Sequence, residues 1–172
     1  MCSAITHPIV PLGLAALLPP SLASPSVILA GAACAVIPDL DVIGCRCGIR
    51  STHLLGHRGV THSIVFAAVL AALLTYILFR HSHPDPWMVG LYLFVSTLSH
   101  PFLDMLTNGG CGVALFAPFR PTRYFFPWRP IEASPLSVRR FFSKRGVQIL
   151  RSEFRWVWLP TAGMVIVGTM VR

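Results

Sequence analysis

The first charged residue of this chain is Asp39, so its first 38 residues contain no Asp, Glu, Lys or Arg. Charged residues make up 12% of the whole chain, about half of the roughly 25% that is typical of soluble domains. Further uncharged stretches occupy 64–79 and 87–103, close to the length of about 20 residues that a helix needs to cross a bilayer. These stretches predict a helical membrane protein and argue against a soluble domain.

The predicted fold class is therefore all-α, a multi-pass membrane protein with four to five membrane helices in a single domain, 1–172. The apolar stretches that would form these helices are Ile9–Leu18, Ser26–Ile37, Ile64–Phe79, Trp87–Leu103 and Trp156–Val171. The first two are short, and Pro19-Pro20 separates them. They predict either two tilted spans or one re-entrant hairpin, and both alternatives return the chain to the side from which it entered.

Local signals predict further details of these helices. Thr61 or Ser63 is placed to cap the helix that begins at Ile64. Pro101 predicts a kink in the fourth helix or the start of a new one, because proline cannot donate a backbone hydrogen bond. Trp87 and Tyr92 have side chains suited to the membrane interface. Gly44–Gly56 is predicted as a loop, and Arg80–Pro86 as a short connection.

The C-terminal third carries most of the positive charge. Between Arg120 and Arg155 there are nine Arg and Lys residues against two acids, Glu132 and Glu153. Ser134-Pro135 has the pattern of a helix start, and we expect a basic helix from there to about Phe154 that lies on the membrane surface and contacts anionic lipid headgroups. The arginines of the preceding loop are expected to be interfacial anchors: Arg120, Arg123 and Arg129. Nucleic-acid binding is not expected, because no base-reading module is present.

The distribution of basic residues also predicts the orientation in the membrane. The 44–63 loop carries three arginines and no acid, the 80–86 connection carries one Arg and one Asp, and the 120–155 segment is strongly basic. The positive-inside rule places the first and third of these in the cytoplasm. Because helices alternate in direction, four separate segments would then bring polar side chains to the cytoplasmic face.

These segments carry most of the metal-ligating side chains of the chain. The densest is His57-Arg58-Gly59-Val60-Thr61-His62-Ser63, directly before an apolar helix. We predict that the following residues bind metal: His7, Asp39, Asp41, His57, His62, His100 and Asp104. His100 and Asp104 are four residues apart, about 40° around a helix, so both can reach one ion. Helix capping is the alternative role for this pair and for the two aspartates at 39 and 41.

The ligand types restrict the metal. Mixed His and Asp ligation suits Zn²⁺, with Mn²⁺ or Fe²⁺ as alternatives, and the number of ligands fits one or two ions. Asp39 or Asp41 is a candidate catalytic base. Arg58 is a candidate catalytic residue that stabilises negative charge, and contact with a phospholipid headgroup is its alternative role. His53 is a further possible ligand. The five cysteines show no disulfide-framework spacing and are predicted to be reduced bystanders, with a soft-metal site at Cys45-Arg46-Cys47 as the alternative.

The motifs together resemble a known family. Thr6-His7, Pro38–Asp41, the His57–Ser63 element and the His-x-x-x-Asp pair at 100 and 104 occur in the order found in the YdjM-like family, over roughly residues 1–120. That family is described as LexA-regulated, membrane-bound, metal-dependent hydrolases of the bacterial inner membrane. It is distantly similar to zinc-dependent phospholipases C and single-strand nucleases, which favours phosphoester chemistry. The resemblance therefore implies a lipid-embedded metallohydrolase.

Two alternative functions remain open from the sequence. A metal transporter or sensor would need the same ligands, and intramembrane ionisable residues often mark ion paths. A structural membrane module would use its polar residues only to cap helices. The clustering of ligands at one face argues against a transport path, which would need polar groups across the whole bilayer.

Overall fold

The fold is seen in a computed structural model that describes residues 1–81, 85–135 and 141–171. Within these residues the chain forms helices and, apart from isolated bridges, no β-strand, which confirms the predicted all-α class. The α-helices, in chain order, are α1 (Ile9–Ala15), α2 (Pro25–Cys34), α3 (Val42–Arg46), α4 (Ile64–Leu74), α5 (Pro86–Met105), α6 (Lys144–Glu153) and α7 (Leu159–Val171). Short 3₁₀ turns span Ile37–Asp41 and Val60–His62, and π-helical turns span Thr75–Phe79 and Phe154–Trp158.

The starts of α2, α4 and α5 are fixed by side chains at the position before the helix. Ser24, Ser63 and Asp85 each accept a hydrogen bond from the backbone N–H three residues ahead, at 3.4, 3.1 and 3.1 Å. Such caps satisfy N–H groups that have no partner within the helix. Of the two residues predicted to cap α4, Ser63 is the one that does so, and it thereby ends the His-rich turn at a defined position.

Helix α5 lies at the centre of the fold and packs against α1, α2 and α4. The prediction that Tyr92 lies at the membrane interface is wrong. Its ring is 5% exposed and its hydroxyl donates to the carbonyl of Pro11 at 3.0 Å. There is room for the Tyr92 ring because the residue beneath it is Gly31. The ring packs directly on this glycine, and any Cβ there would clash with it. Trp87, in contrast, is 87% exposed at the start of α5.

Two further local predictions need correction. Helix α5 continues without interruption through Pro101 to Met105, so Pro101 does not begin a new helix. A proline removes one backbone donor, and the packing of α5 on three helices holds the remaining turns in place. The predicted loop at Gly44–Gly56 is also partly wrong, because α3 extends to Arg46 before the irregular segment begins.

The basic helix and the last apolar segment form one helix, which is a correction to the prediction that they are separate. Lys144–Val171 is continuous over 28 residues. A π-helical turn at Phe154–Trp158 joins the two parts of this helix. Pro160 follows two residues after the turn, and its missing N–H and bulky ring disturb the regular α-helical pattern. Helix α6 begins at Lys144 with Ser143 as its cap, and the predicted start at Ser134-Pro135 leads into 136–140, outside the described residues.

Two helical stretches of the described chain are long and apolar enough to cross a membrane, Pro25–Cys45 and Lys144–Val171. The helix Ile64–Phe79 is apolar but shorter. These stretches agree with a helical membrane protein. In the fold, the residues before α1, before α4 and after α2 lie beside the last turns of α5, where the polar side chains collect.

Candidate metal centre

Side chains from four segments meet in one buried cluster near the end of α5. Asp39, His62, His100 and Asp104 each offer a ligand atom, and these atoms lie within 4.8 Å of one another. His62, His100 and Asp104 are fully buried. The Nε2 atom of His100 lies 3.0 Å from Nε2 of His62 and 3.4 Å from Oδ1 of Asp39. Nε2 of His62 lies 3.6 Å from Oδ2 of Asp104. We call these four residues and His7 the inner group.

His7 completes the inner group from the N-terminal side. Its ring stacks on that of His100, with centroids 3.7 Å apart. Its Nε2 atom lies 3.9 Å from both Oδ2 of Asp39 and Oδ1 of Asp104. Burial, together with the neighbouring His100, lowers the pKa of His7 to about 3. A neutral imidazole is the form that binds metal.

Hydrogen bonds at the far side of two rings direct their Nε2 atoms inward. Nδ1 of His100 contacts the carbonyl of Ala35 at 2.7 Å, and a carbonyl can only accept, so this nitrogen carries the proton. Nδ1 of His62 is hydrogen-bonded to the hydroxyl oxygen of Thr61 at 3.1 Å and lies 3.2 Å from Oδ2 of Asp41. Metal-binding histidines are commonly held by such a partner, which fixes the tautomer and the ring orientation.

Asp41 has both of its oxygens occupied. Oδ1 contacts Nδ1 of His57 at 2.7 Å, and Oδ2 accepts from the backbone N–H of Arg58 at 3.0 Å and from the hydroxyl of Thr61 at 2.8 Å. Asp41, His57 and His62 also form a second group whose ligand atoms lie close enough for one ion.

The inner group contains polar atoms that lack a hydrogen bond. Within the described part of the chain, neither nitrogen of His7 and neither oxygen of Asp39 makes one, although all four atoms are buried. Leaving such groups unpaired costs about 1–3 kcal/mol each. Zn–N and Zn–O bonds of roughly 2.0–2.2 Å place tetrahedral ligands about 3.3 Å apart, near the observed separations. The donor set therefore fits a divalent cation.

Arg58 lies inside the protein and does not reach a headgroup. It is fully buried, and its Nε, Nη1 and Nη2 atoms donate to Oδ2 of Asp104, the carbonyl of Gly109 and the hydroxyl of Thr107 at 2.8, 2.9 and 2.8 Å. Its backbone adopts φ 63°, a conformation that is uncommon for residues other than glycine. The guanidinium thus fixes Asp104, a member of the inner group.

Two residues that support the centre were not assigned to it from the sequence. Arg123, expected to be an interfacial anchor, donates to the carbonyls of Ser51 and Arg58 at 2.6 and 3.2 Å, so it holds the loop that carries His57. Glu153, counted within the basic block, is fully buried and accepts from the hydroxyls of Ser3 and Thr6 at 2.6 and 2.8 Å. An acid within an otherwise basic segment was the available signal for Glu153. No sequence signal distinguished Arg123.

His53 does not join the centre, since it is exposed and its Nδ1 accepts from the backbone N–H of Leu55 at 3.2 Å. All five cysteines are free thiols. Cys45 and Cys47 are absent from both groups that could hold an ion in the described part of the chain.

The metal affinity of the centre should rise with pH. Burial would lower the pKa of His62, but its contacts with Asp104 and Asp41 raise it to about 9, so near pH 7 a proton occupies Nε2, the atom that a metal would need. Binding must release this proton. We therefore expect affinity to increase by about tenfold per pH unit from pH 6.5 to 9 and then level off. Zn²⁺ titrations across this range, with buffers of different ionisation enthalpy, would detect the released proton; a flat profile would contradict the assignment.

Comparisons with known proteins agree with the membrane assignment. The family model described as "YdjM inner membrane protein" matches residues 1–172. The chain is 38% identical over 170 residues to the inner membrane protein YbcI of Escherichia coli strain K12, covering 99% of this chain and 97% of that protein. No solved structure matches the chain.

Proposed function

Because the chain belongs to the YdjM family of inner membrane proteins, we propose that it is a membrane-bound, metal-dependent hydrolase that cleaves a phosphoester. The observation that carries the proposal is that His7 and Asp39 are buried with side chains that make no hydrogen bond within the described residues, while they face His62, His100 and Asp104 at 3.4–3.9 Å. Structural packing alone does not account for a carboxylate and an imidazole that are buried without hydrogen bonds.

The inner group would hold one divalent cation, with Zn²⁺ favoured by its mixture of imidazole and carboxylate ligands. A cation bound there supplies Lewis-acid chemistry, in which it polarises a phosphoryl oxygen and lowers the pKa of water. The second group, Asp41 with His57 and His62, is the proposed place for a second ion. His62 belongs to both groups, so the two positions would share this residue.

The other predicted catalytic residues act through these ligands. Asp41 holds the imidazoles of His57 and His62 in one tautomer, and its two oxygens already accept several hydrogen bonds. Arg58 positions Asp104 and offsets part of the negative charge of the carboxylates. Asp39 remains the carboxylate with free acceptor capacity, so it is the proposed proton acceptor when it is not a ligand.

The proposed topology places the centre at the cytoplasmic face. Helices α4 and α5 would cross the bilayer together with the two longer stretches, giving four to five spans. The basic residues of 44–63 and 120–155 would lie on the cytoplasmic side and contact anionic headgroups there. A centre at this depth can meet a phosphoester that is part of a lipid or one that diffuses along the membrane surface.

The proposal is tested by metal content and turnover measured on the same preparations. The detergent-purified protein should contain near-stoichiometric Zn or Mn by mass spectrometry and should hydrolyse at least one ester in a panel of phosphomonoesters and phosphodiesters. His62→Ala should lose the metal and the activity. His53→Ala, which changes an exposed histidine outside the centre, should lose neither. Turnover retained by His62→Ala would overturn the proposal.

The depth of the centre favours one second candidate, a metal-binding protein without catalysis. Even Asp39 has a side chain only 8% exposed, and five protein donors can complete the shell of an ion, whereas catalytic zinc sites keep an open position. In that case the preparations above would contain metal that His62→Ala loses, and no ester of the panel would be cleaved.

A further inference from the structure

A groove of about 600 Å³ runs between α4 and α5, away from the metal centre. Its volume lies within the range of about 300–1,000 Å³ that is typical of small-molecule sites. The α4 side is formed by small residues, Ala68, Ala71 and Ala72, and the α5 side by Gly90, Leu91 and Phe94. The groove exists because these alanines and this glycine leave space that larger side chains would fill.

The surroundings of the groove are those of a lipid-facing surface. Val69 and Leu73, on α4 beside the groove, are 60% and 51% exposed, and Leu91 on the opposite wall is 53% exposed. Apolar side chains this exposed along a sixteen-residue helix without a charge suit contact with hydrocarbon. The occupant of the groove must therefore be apolar over most of its length.

One end of the groove is polar and positively charged. Arg80 lies there with its guanidinium carbon 4.2 Å from the centre of the Tyr76 ring, and in the described part of the chain it forms no ion pair. Trp87, 87% exposed, borders the same end, and tryptophan is enriched at the level of lipid headgroups. The charge at this end complements a phosphate.

The π-helical turn Thr75–Phe79 directly follows α4 and approaches the positively charged end of the groove. Such turns are rare and occur frequently at functional sites. Asp85, the carboxylate of the same connection, caps α5 by accepting from the backbone N–H of Met88 at 3.1 Å. That hydrogen bond gives Asp85 a structural role and leaves Arg80 as the cation that faces the groove.

We propose that this groove binds one acyl chain of an anionic phospholipid whose phosphate contacts Arg80. An apolar channel with a single cationic end matches an amphiphile with a negative headgroup. The site is separate from the basic 120–155 segment and does not rest on the metal centre. It would hold the lipid at the end of α4 and α5 opposite to the polar cluster.

Native mass spectrometry tests the site directly. Detergent-purified protein is mixed with equimolar phosphatidylglycerol and phosphatidylethanolamine, and the occupancy of the first bound lipid is measured. We expect phosphatidylglycerol to be retained preferentially. Arg80→Gln should lower its retention by about fivefold, the effect of one basic residue near a lipid surface. Ala68→Phe and, separately, Ala72→Leu should displace the acyl chain of either lipid.

Two matched variants serve as controls. Val69→Phe places the same aromatic ring at a neighbouring exposed position outside the groove, and Arg80→Lys keeps the positive charge at the end of the groove. Both should retain phosphatidylglycerol as the unmodified protein does. Equal retention of the two lipids by the unmodified protein, or equal losses in the control and groove variants, would overturn the proposal.

Discussion

Asp39→Asn should abolish tight metal binding while changing the stability of the metal-free protein little. The carboxylate of Asp39 is buried, and neither of its oxygens makes a hydrogen bond with a described residue. Without a cation it also lies close to Asp104, since both carboxylates are within 3.9 Å of Nε2 of His7. Burying a carboxylate is costly, but His62 and His100, at 3.9 and 3.4 Å from Oδ1 of Asp39, offset that cost, so neutralising Asp39 should change the stability of the metal-free protein little. The same change removes a charged ligand from the bound state.

The effect on metal affinity is large and the effect on stability is small, which makes them easy to separate. We expect Zn²⁺ affinity to fall by more than about 100-fold, since even losing a partner that only orients a ligand costs about 10–100-fold. Chelator-treated Asp39→Asn should melt close to the temperature of the chelator-treated unmodified protein. Competition titrations and thermal melts with and without chelator give both values.

Asp85→Asn is the matched control, because asparagine also caps helices well and Asp85 lies outside both metal-binding groups. It should change neither quantity. If Asp39→Asn binds Zn²⁺ as tightly as the unmodified protein, the inner group is not a metal site. If its metal-free form is strongly destabilised, Asp39 instead has a structural partner.

The helical class and the position of α4 could be predicted from the sequence because both depend on local features. An uncharged run of membrane-like length predicts a helix, and a serine directly before it predicts where that helix starts. Alternation of the helices then predicted which polar segments share one end of the fold. In the structure, residues as distant in sequence as His7 and His100 stack there at 3.7 Å.

The arrangement within the cluster could not be predicted, because it depends on contacts between distant segments. The positions of Asp39 and Asp41 in the sequence do not distinguish their roles. The structure distinguishes them, since Asp41 accepts from Thr61 and the backbone of Arg58, whereas the side chain of Asp39 makes no hydrogen bond with the residues that the structure describes. Likewise, the composition of 120–155 indicated only a basic surface. It did not show that Arg123 would reach back to backbone carbonyls of the 51–58 loop.

The burial of Glu153 has the second large consequence that we expect to measure. Its Oε1 accepts from the backbone N–H of Ser3 and lies 3.2 Å from Sγ of Cys2, and its Oε2 accepts from the hydroxyls of Ser3 and Thr6. Trp158, one turn further along the same helix, donates to Thr6 at 2.9 Å. The C-terminal helix thus holds the turn that immediately precedes His7.

Glu153→Ala should destabilise the protein by about 3 kcal/mol or more, because it leaves at least three buried donors unpaired at about 1–3 kcal/mol each. For a chain of this size that corresponds to a fall in melting temperature of roughly 6–12 °C. Glu153→Gln keeps one acceptor oxygen but turns an NH₂ group towards donors, so its effect should be intermediate. Glu132→Ala, at a partly buried glutamate, is the control and should change the melting temperature little.

The same variants show whether the last helix contributes to the metal centre. Because Thr6 is adjacent to His7, loss of the Glu153 contacts should let His7 move and lower Zn²⁺ affinity by about 10–100-fold, the usual cost of removing a partner that positions a ligand. Affinity should be compared below the melting temperature of each variant, so that unfolding does not contribute. Loss of stability with unchanged affinity would show that Glu153 only anchors the N-terminal turn, and that His7 is held by its stacking on His100.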